Sequence, residues 1–112
     1  MSETLPPFLK WGSYKSHDQD KPNVLEMQVV DIEPFETAYT INVKVLLKEG
    51  KKWNETILPL KSLESKNEAL LKAWNKNSQK DLIKVGKRFK LKTWLGKSTR
   101  SEYDIRRFVL EF

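Results

Sequence analysis

Residues 39–60 read as two alternating strands around a tight turn, and that pattern leaves little room for anything but an antiparallel sheet. Tyr39, Ile41, Val43, Val45 and Leu47 fall on one face, and Thr40, Asn42, Lys44, Leu46 and Lys48 on the other. Glu49-Gly50 supplies the turn, with glycine able to take the positive φ that tight hairpins need. If these two residues are the loop, Lys48 faces Lys51, Leu46 faces Trp53, Lys44 faces Glu55 and Val43 faces Thr56. Ile41 then meets Leu58, and Tyr39 meets Leu60. This register sets apolar against apolar on the core face and an opposite-charge pair outside. It also puts Trp53 on the outer face beside Lys44, Leu46 and Lys48, whereas a slip of one residue would bury the indole.

A second stretch, Lys87 to Leu95, separates in the same way. Phe89, Leu91, Thr93 and Leu95 point to one side, and Arg88, Lys90, Lys92 and Trp94 to the other. The second set is a stripe of cations ending in a large aromatic. Such a stripe can neutralise phosphates while the indole stacks on a base. It can also be an edge strand kept soluble by its charges, with Trp94 folded over the barrel rim.

Charge weighs between these readings. Lys and Arg number 21 against 15 Asp and Glu in 112 residues, a net charge of +6, which favours a polyanionic partner. The signs are mixed along the chain rather than blocked, unlike a polybasic tail. With no cysteine and one histidine, a disulfide framework and a thiolate metal site are excluded. His17 reads as a solvated loop residue, so no metal and no cofactor is expected. No apolar run approaches the roughly 18–20 residues of a membrane helix, and the N-terminus lacks the basic-then-apolar order of a signal peptide. The expectation is a soluble cytoplasmic protein, nucleoid-associated if it binds DNA, with no membrane role.

Around these strands the chain divides into an irregular arm, 1–22, and a domain, 23–112. Pro6, Pro7, Gly12 and Pro22 punctuate the arm. Phe8, Leu9 and Trp11 can pin it to the body, or Lys10, Trp11, Tyr14 and Lys15 can close over a ligand. Val24 to Glu33 is the first strand, and its apolar phase slips from Leu25, Met27 and Val29 to Val30 and Ile32. That slip predicts a bulge or bend. Glu33 to Thr37 makes the first loop, Pro34 forbidding continuation of the ladder, and Pro59 ends reliable pairing of the third strand. Ser65-x-x-Glu68 reads as a capping box opening a helix of about three turns, with Leu70, Leu71 and Trp74 inward, Lys66, Lys72, Lys76 and Lys80 outward, and a frayed end at Asn75 to Ser78. Lys84 to Lys87 turns into the fourth strand, Gly96 to Glu102 is a polar loop, and Tyr103 to Phe112 is a last strand on which the chain is expected to end without a tail.

Strand, strand, strand, helix, strand, strand, with a bent first strand, is the order of a mainly β, five-stranded Greek-key barrel, the OB-fold, with one helix between strands three and four. An SH3-like barrel and a β-grasp arrangement are the alternatives. Pro7-Phe8-Leu9-Lys10, Thr56-Ile57-Leu58-Pro59-Leu60-Lys61, the helix, and Val85-Gly86-Lys87-Arg88-Phe89-Lys90-Leu91 together resemble small OB-fold single-stranded DNA-binding proteins in layout over most of the chain. The resemblance implies binding across the second and third strands and the loops joining strands one to two and four to five. Carried over by position, these hold Lys44, Lys48, Trp53, Lys97 and Arg100, with Arg88, Lys90, Lys92 and Trp94 on the neighbouring strand. Partner recruitment through an acidic tail, as in many bacterial members, is not expected.

The expected function is sequence-tolerant binding of single-stranded DNA, or RNA, by these residues. A protein-interaction module in a larger assembly is the second reading, in which Trp53 and Trp94 anchor a protein partner. No catalytic residues are expected, because nothing groups a nucleophile, a base and an orienting partner.

Overall fold

The structure, a computed structural model, describes residues 6–65, 67–97 and 104–112, with Lys97 and Asp104 as backbone only. It is mainly β, an antiparallel sheet of six strands with one α-helix. In chain order these are β1 (Asn23–Val29), β2 (Phe35–Glu36), β3 (Thr40–Glu49), β4 (Lys52–Ser62), α1 (Ala69–Gln79), β5 (Arg88–Lys97) and β6 (Asp104–Glu111). One edge of β3 pairs with β4 along its length, and the other pairs first with β1 and then with β2. β1 also pairs with β5, and β5 with β6. Across the sheet the order is therefore β4, β3, β1 with β2, β5, β6.

The bend predicted after Val29 is present. The amides of Val30 and Asp31 both donate to the Lys44 carbonyl at 3.3 Å, two residues opposite one acceptor, as a bulge requires. The first strand ends at Val29 instead of the expected Glu33, and the expected loop 33–37 contains a further short strand. Phe35 and Glu36 re-enter the ladder against Asn42 and Ile41, because Pro34 interrupts the pairing without preventing its resumption.

The hairpin register differs from the expectation by two residues. The turn is Gly50-Lys51, closed by Glu49 opposite Lys52, with Gly50 at φ 64°. Glycine thus occupies the first of the two loop positions, the arrangement of a type II′ turn. A shift of two preserves every residue's face, so Trp53 stays outside, now opposite Lys48 instead of Leu46. The same shift leaves Tyr39 before the strand and exposed, while Leu60 is buried without it. Pairing also continues past Pro59 to Ser62, a register shift between Ile41 and Asn42 absorbing the proline that lacks an N–H.

Leu25, Met27, Val29, Val43, Val45, Leu47, Leu58, Leu60, Phe89 and Leu91 form the buried face, and Leu70, Trp74 and Ile83 cover it. Trp74 is fully buried, edge-on to Phe89 with ring centroids 5.9 Å apart. Its indole N–H donates to the Ile32 carbonyl at 2.9 Å, which ties the helix to the bend. The capping box does not form. Ser65 Oγ accepts from the Asn67 amide and Asn67 Oδ1 from the Ala69 amide, so the helix starts at Ala69, three residues later than the box would set, while Glu68 pairs with Lys61 and Lys72. The other end is not frayed. Leu82 N–H reaches the Asn77 carbonyl and Asp81 N–H that of Ser78, with Asp81 at φ 58°, a Schellman termination with aspartate in the left-handed position.

No ladder joins β4 to β6 among the described residues, so the sheet is not closed into a barrel. Three other things occupy the seam. α1 packs against both strands. Asn67 Nδ2 donates to the Arg106 carbonyl at 3.4 Å. The arm crosses from one edge to the other: Leu9 N–H and the Pro7 carbonyl bond to Ile57 of β4 at 2.8 and 2.9 Å, and Trp11 stands edge-on to Phe108 of β6 at 5.1 Å. The Trp11 carbonyl accepts from Arg106 Nη2 at 3.0 Å and the Tyr14 carbonyl from the same atom at 2.8 Å. Arg106 Nη1 meets Thr93 Oγ1 at 3.2 Å. Burial lowers the Arg106 pKa below the ordinary guanidinium value, and burial, then the Glu49 carboxylate, raises that of Tyr14. Trp11 is thus a pin that holds the arm to the body.

Two substitutions check these supports. Trp74→Ala removes a large buried ring and should cost about 3–5 kcal/mol in urea unfolding. Arg106→Leu leaves two arm carbonyls without their charged donor. It should cost about 1.5–3 kcal/mol and speed proteolytic cleavage between residues 7 and 16; unchanged cleavage would show the arm to be held by Trp11 and Leu9 alone.

Candidate nucleic-acid interface

The outer face of the sheet follows from the pairing. β1, β3 and β5 bury alternate residues, so Glu26, Gln28, Lys44, Leu46, Lys48, Arg88, Lys90, Lys92 and Trp94 must emerge on the opposite side. One row runs straight across the strands: Trp53 opposite Lys48, Lys48 ion-paired to Glu26 at 3.1 Å, Glu26 opposite Lys90, and Lys90 opposite Glu111. Aromatic, cation, carboxylate, cation, carboxylate is the order. Phe89 and Phe112, stacked with centroids 5.2 Å apart, close the same end of the sheet. Together these groups and Arg88 line a depression of about 490 Å³.

Trp53 is half-buried, and the Arg88 guanidinium lies over its ring at 4.8 Å from the centroid. Arg88 Nε also donates to Gln28 Oε1 at 3.2 Å. The contact joins strands that are not neighbours, drawn together by the twist of the sheet and the length of both side chains. A guanidinium on an indole face shows that the ring is accessible to a flat group from that side.

The second tryptophan lies farther along β5. Trp94 is four residues from Lys90 on the same face, about 13 Å at strand rise. It stands opposite Arg107. A Cβ at Gly96 would lie 3.3 Å from Arg107 Cγ and 3.8 Å from Trp94 Nε1, so the Arg107 side chain lies across the glycine beside the indole. Between the two tryptophans, Lys92 is ion-paired to Glu111 at 2.7 Å and flanked in register by the exposed valines Val24 and Val109.

Of the residues singled out in the sequence, Lys48, Trp53, Arg88 and Lys90 come together at the depression, and Lys92 and Trp94 continue the same face. Lys44 stands opposite Ile57, about 13 Å along β3 from Lys48, and does not join them. Lys97 ends β5 opposite Asp104; its side chain and Arg100 lie outside the described residues. The carboxylates Glu26 and Glu111, and Arg107 beside Trp94, were missed. Alternation alone places Glu26 and Glu111 on the outer strand faces, but only the β1–β5–β6 pairing sets them among the cations. Among the described residues no three His, Asp or Glu side chains converge as a metal-ligand set. No helix among them is long and apolar enough to cross a membrane.

The chain matches no protein-family model, no curated protein and no solved structure.

Whether the Arg88–Trp53 pair holds the fold or merely rests on it can be measured. Both groups are partly exposed, so Arg88→Met should lower stability by less than about 1 kcal/mol in urea unfolding. A loss above about 2 kcal/mol would make the pair a structural clamp.

Proposed function

We propose that the chain binds single-stranded nucleic acid, DNA in the first place, on the outer face of an OB-like sheet. The strand order supports the fold part of this reading. Taking β1 and β2 as one bent strand, the order is three, two, one, four, five, with a helix between the third and fourth, as in an OB-fold opened between strands three and five. The arm and α1 fill that opening.

The observation that carries the reading is the placement of Trp53 and Trp94 on one outer face with cations between them. Stacking on each indole is worth about 1–3 kcal/mol per base, whatever the base. Apart from Lys44, about 13 Å along β3 from Lys48, the cations of this face without a carboxylate partner among the described residues are Arg88, Lys90 and Arg107. Electrostatics thus contribute less than the charge of +6 suggests, and stacking more.

A second reading has its own support. Lys48 and Lys92 are neutralised by Glu26 and Glu111, and Val24 and Val109 are exposed next to Trp94. A half-neutral, partly apolar face also suits a protein partner.

Titration with short oligo-dT, followed by tryptophan fluorescence at several salt concentrations, separates the two. Single-strand binding predicts quenching and a log–log salt slope near −2, about −0.7 for each of three released counterions. Trp53→Ala and Trp94→Ala should each weaken binding about tenfold. No quenching at low salt, or unchanged affinity in both folded variants, would turn the reading to a protein partner.

A further inference from the structure

We propose that the depression beside Trp53 is a base subsite that prefers guanine, an inference that rests on the single-strand reading above. The carboxylates lead to it. Phosphate binding alone has no use for Glu26 between Lys48 and Lys90 on this face, since a carboxylate there repels the backbone. A base edge with N–H donors does have a use for it, because an ionised carboxylate is a pure acceptor.

Glu26 is well placed for this role. Its Oε2 holds Lys48 at 3.1 Å, and each carboxylate oxygen has lone pairs for a further donor. Lys48 is directly opposite Trp53, so the carboxylate stands one strand beyond the residue that faces the ring. A base stacked on the indole, in the place the Arg88 guanidinium now takes at 4.8 Å, directs its edge across the row toward Glu26. The depression, about 490 Å³, accommodates a purine.

Donor pattern then chooses the base. Guanine offers two parallel donors, N1–H and N2–H, to the two oxygens of one carboxylate. Adenine and cytosine offer a single exocyclic amine next to an acceptor nitrogen that a carboxylate repels, and thymine one N–H between two carbonyls. Lys48 and Lys90, on either side of Glu26, are left to meet guanine O6 and the adjoining phosphate. Outside this subsite the strand is bound without regard to sequence. Trp94 has Arg107 opposite it and Lys92 next to it on its face, but no carboxylate in its row.

The test uses the full chain and three oligomers of equal length: all dT, the same with one central dG, and the same with one central deoxyinosine, which lacks N2. The dG oligomer should bind about tenfold tighter than all-dT, and deoxyinosine should lose most of that gain. Glu26→Gln should bind all-dT more tightly than the parent, a repelling charge having gone, yet lose the preference for dG. Equal affinity of the parent for the three oligomers would overturn the guanine subsite and leave single-strand binding standing. A guanine preference that survives in Glu26→Gln would overturn the role of the carboxylate. Binding to none of the three would overturn both this inference and the reading beneath it.

Discussion

The bend after Val29 is the constraint on which the other elements depend. Two consecutive amides share the Lys44 carbonyl, so the chain turns out of line while staying on one edge of β3. The next carbonyl in the bend, that of Ile32, receives the Trp74 indole N–H. Trp74 in turn meets Phe89, which stacks on Phe112. One chain of contacts thus runs from the first strand through the helix to the fifth and sixth strands. The hydrogen bond to a bulge carbonyl also satisfies a donor that burial would otherwise leave costly.

Twist and long side chains explain how residues distant in the sheet order come to share a depression. Trp53 and Arg88 stand on strands separated by two others, and yet ring and guanidinium meet at 4.8 Å. On this face two lysines are set against carboxylates of the neighbouring strand, Lys48 with Glu26 and Lys92 with Glu111. Such exposed pairs contribute little to stability. Their consequence is local: they lower the field of a basic protein where a ligand would approach, so that flat groups count for more than charge.

Much of the fold was legible because it rests on local periodicity. The alternation at Thr40–Leu47 and Phe89–Leu95, the phase slip at Val30 and the inward Trp74 each follow from side-chain spacing, and spacing survives small errors. The hairpin shows why. Its register was off by two, since turn chemistry depends on which loop position glycine takes, yet every face was kept. What could not be read was long-range. Nothing near Glu26 announces that Lys48 and Lys90 flank it, because strand neighbours are chosen by topology. The helix start was misplaced for a different reason: Glu68 found Lys61 and Lys72, so the capping box lost its carboxylate. Closure was overestimated because order alone does not say whether the third and fifth strands meet.

The seam between β4 and β6, bridged by the arm, has a consequence for how the chain is made. The arm's first partner, Ile57, follows Phe8 by 49 positions, but its second, Arg106, lies 95 positions beyond Trp11 and 92 beyond Tyr14. At about 5–20 residues per second of synthesis, roughly 5–20 seconds separate the emergence of Trp11 from that of the guanidinium that donates to its carbonyl. During this interval the nascent chain carries an unpinned indole and a half-assembled sheet whose fifth and sixth strands have still to be added. Residues made well before the last two strands are therefore among the last to find their places, and the arm acts as the latch of a fold completed from the other end.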